Sequence, residues 1–156
     1  MVSRRIRLFL HSTAFDNISV ELGNAHWRLG RTEEAYAAYS RIIALDPVGA
    51  NYTYVNRGIL SYNLGDFEAA IADFSVAISR ESDNAERYWM RASAYDDAGR
   101  PHMAIPDLDR ALELEPTLVR AHFSRGIVNG NLENYEAALT DYSRALELSA
   151  RHSVPT

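Results

Sequence analysis

Arg57, Arg91 and Arg125 recur at intervals of 34 residues, and each is followed sixteen residues later by an aspartate, namely Asp73, Asp107 and Asp141. A guanidinium and a carboxylate can form a two-pronged, charge-assisted hydrogen bond, so this spacing points to structural ion pairing. One period earlier both partners are missing together, replaced by Leu22 and Ala38. Two unrelated surface habits are the alternative, and the joint presence and absence favours pairing. Partly buried pairs of this kind fix register more than they add stability, so the role read here is architectural.

Other reactive side chains do not assemble into a site. His11, His26, His102, His122 and His152 never stand three or four residues apart, the spacing of a helical metal pair. The adjacent acids Asp96 and Asp97 read as solvated charges. There is no glycine-rich phosphate loop and no serine in a nucleophile-elbow context. The chain has no cysteine, hence no disulfide, thiolate ligand or cysteine nucleophile, and all 16 basic residues are arginine, which removes Schiff-base chemistry. No catalytic residue, metal or cofactor is expected, and the chain reads as non-enzymatic.

Composition bounds the partners. A formal charge of -5 argues against a phosphate-neutralising surface, so nucleic acid is not expected. No apolar run approaches the roughly 18 residues of a membrane span, and Leu8-Phe9-Leu10 is too short for a secretory core despite Arg4, Arg5 and Arg7. The expected setting is cytoplasmic, with a periplasmic or secreted location left open, and the arginine bias reads as the coding habit of a GC-rich, bacterial genome.

The elements that must position these residues emerge when the chain is laid over itself at an offset of 34 or 35. Gly23, Gly58, Ala92 and Gly126 share one column. Ala35, Ala70, Ala104 and Ala138 follow twelve residues later, then Tyr39, Phe74, Leu108 and Tyr142, then Ile43, Ile78, Leu112 and Leu146, at helical steps of four. Gly30, Gly65 and Gly99 fall between the halves of the first three units, where a helix must stop. Each unit is therefore predicted to be helix, short turn, helix. Small columns let the two helices approach, and the aromatic or leucine column fills the space between neighbouring pairs. No pair can bury its stripe alone, so the units must stack into an all-α solenoid.

Leu22-Gly23, Ala35, Tyr39 and Pro47, and again Gly58, Ala70, Phe74 and Ala77, resemble the signature of the tetratricopeptide repeat. The resemblance implies a single domain over 16–152 of four antiparallel helix-turn-helix repeats (16–50, 51–84, 85–118, 119–152) in a right-handed superhelix. Residues 1–15 are an N-terminal segment, with 3–14 read as a short cap, and 153–156 are a tail. Departures are expected to show. Ser82 and Ala150 replace the closing proline, and Glu133 stands in the turn-glycine column. Ile42 replaces an alanine, so unit 1 should pack more loosely. Pro106 lies one turn inside a helix, so a kink or a late helix start is expected there, with Pro101 as the first-turn proline.

In proteins with this repeat, one arc of each first helix lines a concave groove that receives an extended peptide or a partner's helix. Here that arc carries Asn24, Trp27 and Arg28, then Val55, Asn56, Ile59, Tyr62 and Asn63. It continues with Trp89, Met90, Ser93, Asp96 and Asp97, and with Phe123 and Ile127. Apolar anchors mixed with amides suit a peptide. Repeat domains that clamp the acidic C-terminus of a heat-shock chaperone need basic residues where Val20, Glu86 and Met90 stand, so a ligand with basic residues is expected instead. The expected function is a non-catalytic protein-interaction module. The alternatives are a scaffold that self-associates through an uncapped C-terminal end exposing Leu139, Tyr142 and Leu146, giving a homo-oligomer, and a regulatory fragment of a larger enzyme.

Overall fold

The computed structural model describes residue 18 and residues 20–152. The expected N-terminal cap and the tail lie outside the described residues. Among the described residues, eight helices follow in chain order: α1 over residue 18 and 20–28, α2 Thr32–Leu45, α3 Asn51–Asn63, α4 Phe67–Arg80, α5 Ala85–Asp97, α6 Pro101–Leu114, α7 Val119–Asn131 and α8 Tyr135–His152. They pair as α1–α2, where Tyr39 lies over Gly23 and bonds Asn24, and as α3–α4, α5–α6 and α7–α8, and each second helix packs on the first helix of the next pair. Successive first helices also touch, α3 with α5 and α5 with α7, with no comparable contact joining α4 to α6 or α6 to α8. The array therefore curves toward the first helices, which line its inner face.

Stacking is what makes the core. Each apolar cluster joins a second helix to the first helix of the following unit. Ala35, Tyr39 and Ile42 gather with Leu60, Ala70 and Phe74 with Ala94, and Leu108 and Leu112 with Val128. Ile42 is 1% exposed, so the extra bulk expected to loosen unit 1 sits inside this core.

Within a unit, the small column and the ring column are one device. A Cβ at Gly23, Gly58 or Gly126 would come within 2.5, 2.8 or 2.7 Å of the rings of Tyr39, Phe74 and Tyr142. Those rings thus lie over the glycine of their own unit as well as filling the space toward the next. Unit 3 is the variation that explains the rule: Ala92 carries the extra methyl, and the branched but smaller Leu108 replaces the ring.

The turn between helices closes as a Schellman motif in every unit. In unit 2 the Gly65 N–H donates to the Tyr62 carbonyl at 2.9 Å and the Asp66 N–H to that of Ser61 at 2.9 Å. The geometry demands a left-handed residue, and Gly65 has φ 79°. Unit 4 makes the same bonds through Glu133, at φ 63°. A side chain there costs about 1 kcal/mol relative to glycine. Glu133→Gly is expected to raise the unfolding free energy by about that amount, read by urea denaturation. No gain would mean that the Glu133 side chain repays its strain through a contact of its own.

Two departures from the repeat are resolved locally. Where unit 2 lacks its proline, Arg87, 3% exposed, donates to Glu81 Oε2 at 2.6 Å and to the Ala77 carbonyl at 3.2 Å, and Asn51 Nδ2 donates to Glu81 Oε1 at 2.6 Å. This tie holds the α4–α5 junction and adds a second donor to the Ala77 carbonyl, which also accepts from the Glu81 N–H at 3.1 Å. At Pro106 the helix does not start late: α6 begins at Pro101 and runs through Pro106. His102 and Pro106 are both exposed, so the carbonyl that loses its donor faces water and the usual cost is reduced.

Candidate partner-binding groove

Three of the four first helices, α3, α5 and α7, hold their inner arc at a fixed register because each is bolted by an arginine. Arg57 donates from Nε to Asp73 Oδ2 at 2.8 Å and from Nη2 to Oδ1 at 2.7 Å. Arg91 meets Asp107 at 2.7 and 2.7 Å, and Arg125 meets Asp141 at 2.8 and 2.8 Å. The remaining nitrogen, Nη1, reaches back to the preceding unit: to Ser40 Oγ at 3.0 Å, Ser75 Oγ at 3.0 Å and Asp109 Oδ1 at 2.7 Å. Each arginine thus ties three helices together. Reasoning from sequence placed only the bond within the unit, although Ser40, Ser75 and Asp109 share a column and were the available signal.

Asp141 is the most heavily bonded carboxylate of the ladder, since His122 Nδ1 also lies 3.0 Å from its Oδ1. Burial pushes this carboxyl up, but the hydrogen bonds from Arg125 and His122 outweigh it and hold the group below the ordinary aspartate value.

On the inner face, Ile59, Tyr62, Asn63, Trp89, Met90 and Ser93 surround an apolar depression of about 220 Å³ floored by Phe74. Tyr62 and Ser93 also border a second, more polar depression of about 220 Å³, which adds Asp96, Asp97, Ser124 and Ile127. Asn24, Trp27 and Arg28 line a separate hollow at the α1 end. Val55 and Asn56 are half-buried on α3 and line none of these hollows, and Phe123, 53% exposed, has its ring 5.9 Å from that of Tyr142. Phe74, read from sequence as filling the space between helix pairs, and Ser124 line the hollows as well.

Several of these groups are already engaged. Asn24 Oδ1 accepts from the Tyr39 hydroxyl at 2.6 Å and from Asn56 Nδ2 at 3.5 Å, which leaves its own amide nitrogen for a ligand. Trp89 Nε1 donates to Ser124 Oγ at 3.0 Å. Arg120 stands 5.0 Å from the Trp89 ring centroid and 3.3 Å from Glu86, so the Glu86 charge is largely balanced.

The Tyr62 hydroxyl donates to Asp97 Oδ2. Burial, that hydrogen bond and the nearby charges of Asp97 and Asp96 push the phenol up to about 12, so it remains a neutral donor. Among the described residues, no hydrogen-bond or ion-pair partner reaches the Asp96 carboxylate. Burial, and then the charge of Asp97, push its carboxyl up. The groove therefore presents one unpaired carboxylate beside an apolar hollow.

Among the described residues, no group of three His, Asp or Glu side chains is placed to hold a metal ion, and no helix is long and apolar enough to cross a membrane. Comparison with known proteins agrees with the fold. Human tetratricopeptide repeat protein 13 is 27% identical over 154 residues, covering 94% of this chain and 18% of that protein. Sperm-associated antigen 1 from Rattus norvegicus is 34% identical over 104 residues, covering 62% and 12%. The chain thus spans less than a fifth of either relative. MamA from Desulfovibrio magneticus RS-1 superposes with a TM-score of 0.81 at 18% identity, covering 89% of this chain and 78% of that one. The model of the tetratricopeptide repeat matches residues 20–86 and 89–153. With its Schellman turns, its glycine-over-ring packing and nearly its whole described length matched, the chain belongs to the tetratricopeptide repeat family.

Proposed function

We propose that this chain is a non-catalytic protein-interaction module whose inner face receives an extended peptide or a helix of a partner, with a basic side chain seated at Asp96. The observation that carries the reading is the unpaired Asp96 carboxylate next to the hollow bounded by Ile59, Tyr62, Trp89 and Met90. A cation there would relieve the repulsion from Asp97, and a neighbouring apolar side chain would fill the hollow, its burial supplying affinity and the charge supplying orientation. An acidic peptide end finds no such place, since Arg28 is the one predicted groove residue that is basic.

Two peptide pools, each alternating leucine with either arginine or glutamate, test this by intrinsic tryptophan fluorescence. The arginine pool is expected to bind, and Asp96→Asn to weaken it about tenfold, the worth of one charge-assisted hydrogen bond. The sign of the pH dependence follows from linkage. Asp96 is raised in the free protein and a bound cation lowers it, so binding releases a proton. Affinity should rise as pH climbs through the raised Asp96 range and level off above it, and Asp96→Asn should abolish the dependence. Equal binding of both pools, or binding undiminished in a combined Asp96→Asn, Trp89→Ala variant, would remove the reading.

A further inference from the structure

The faces at the two ends of the described array are both apolar and exposed. In the interior, the second-helix columns that receive the next unit are closed off: Ile71 is 8%, Phe74 1% and Ile78 7% exposed, and Leu108 and Leu112 are 0% and 8%. On α8 the same columns hold Leu139, Tyr142 and Leu146, exposed by 59%, 38% and 73%. A seat for a first helix is built there from the residue types that fill it elsewhere.

The matching half is on α1. First helices face the preceding unit through the columns of Thr53 and Leu60, of Arg87 and Ala94, and of Ala121 and Val128, which are at most 3% exposed. In α1 those columns hold Ile18 and Ala25. With Leu22 and Leu29 they form one stripe at helical spacing. Ile18, Leu22 and Leu29 are 69%, 52% and 68% exposed.

We propose that α1 of one copy seats on α8 of a second copy, so that the chain associates head to tail by continuing its own repeat stacking. The substitutions particular to unit 1 fit this. Leu22 stands in the arginine column and Ala38 in the aspartate column, so an incoming α1 carries no charge that must be paired on arrival. The receiving column on α8 holds Ser143, where unit 3 has Asp109. A carboxylate facing Leu22 would be stranded, whereas a serine hydroxyl can donate to its own helix, as Ser75 Oγ does to the Ile71 carbonyl at 2.7 Å. Contact between α1 and α8 thus strands no charge in the column where the interior units place the arginine ladder. The interface is heterologous, so it propagates into rings or open chains and does not stop at a two-fold dimer.

Complementation tests this on the full chain by sedimentation velocity, at concentrations rising to about 1 mM. The unaltered protein should form a concentration-dependent series of species. Leu22→Glu and Leu146→Glu, both at exposed positions, should each be monomeric with unchanged helical circular dichroism. Mixed in equal amounts they should form a dimer and nothing larger, because one retains a working α8 and the other a working α1. An unaltered protein that stays monomeric would overturn the proposal, whether residues 1–17 or another partner covers these faces. Association that survives Leu22→Glu but not Leu146→Glu would overturn it too, showing an α8-to-α8 contact. Groove binding of the arginine pool is read separately and should persist in both variants.

Discussion

Asp107→Ala is expected to lower the unfolding free energy by about 3 kcal/mol, because it strands the Arg91 guanidinium in the middle of the array. Asp107 is 6% exposed and takes both prongs of Arg91, whose third nitrogen holds Ser75 of the preceding unit. With the carboxylate gone, the cation has one neutral partner left and only partial access to water. Replacing both residues at once, as Arg91→Met with Asp107→Leu, removes the stranded charge along with the bond and should cost about 1 kcal/mol or less. Urea denaturation of Arg91→Met, of Asp107→Leu and of the double variant forms a cycle, in which a large coupling energy is expected. If Asp107→Ala alone costs under about 1 kcal/mol, the ladder is a surface feature and does not set the register of the first helices.

Gly58→Ala is expected to cost about 2 kcal/mol, a large loss for one methyl group. The new Cβ would stand 2.8 Å from the Phe74 ring and 3.2 Å from Asp73 Cβ, and Phe74 is 1% exposed with no room to retreat. Unit 3 of the same chain shows the remedy, pairing Ala92 with Leu108. Phe74→Leu should therefore be destabilising alone, through the cavity it opens, yet should recover most of the loss when added to Gly58→Ala. Additive losses would show that backbone entropy, and not contact with the ring, decides the residue at this column.

The same comparison of units explains what could be read in advance. The period of 34 or 35, the helix-turn-helix unit and the need to stack follow from apolar spacing, because each unit exposes a stripe that only its neighbour can bury. The arginine and aspartate columns were legible because presence and absence co-occur within one chain. The cross-unit bonds to Ser40, Ser75 and Asp109 were harder to read. Serine recurs in many exposed helical positions, and only the angle between stacked units brings its hydroxyl to Nη1. The tie of Arg87 to Glu81 and Ala77 was not legible either, since it has no counterpart in the other units to repeat.

At Pro106 the expected late helix start is not what the chain adopts, since α6 begins at Pro101. Proline forfeits a hydrogen bond wherever it stands in a helix, but the consequence depends on what the orphaned carbonyl faces, and here that is water. The groove divides along the same line. Sequence by itself determined which side chains share the inner arc, because helical periodicity is a property of one helix. Tertiary structure decided which of them are already paired with a neighbour. Asn24 is engaged by Tyr39, Glu86 by Arg120 and Asp97 by Tyr62, whereas Asp96 is left without a partner. Those pairings join residues 15, 34 and 35 positions apart, on helices whose separation and tilt no single helix can specify.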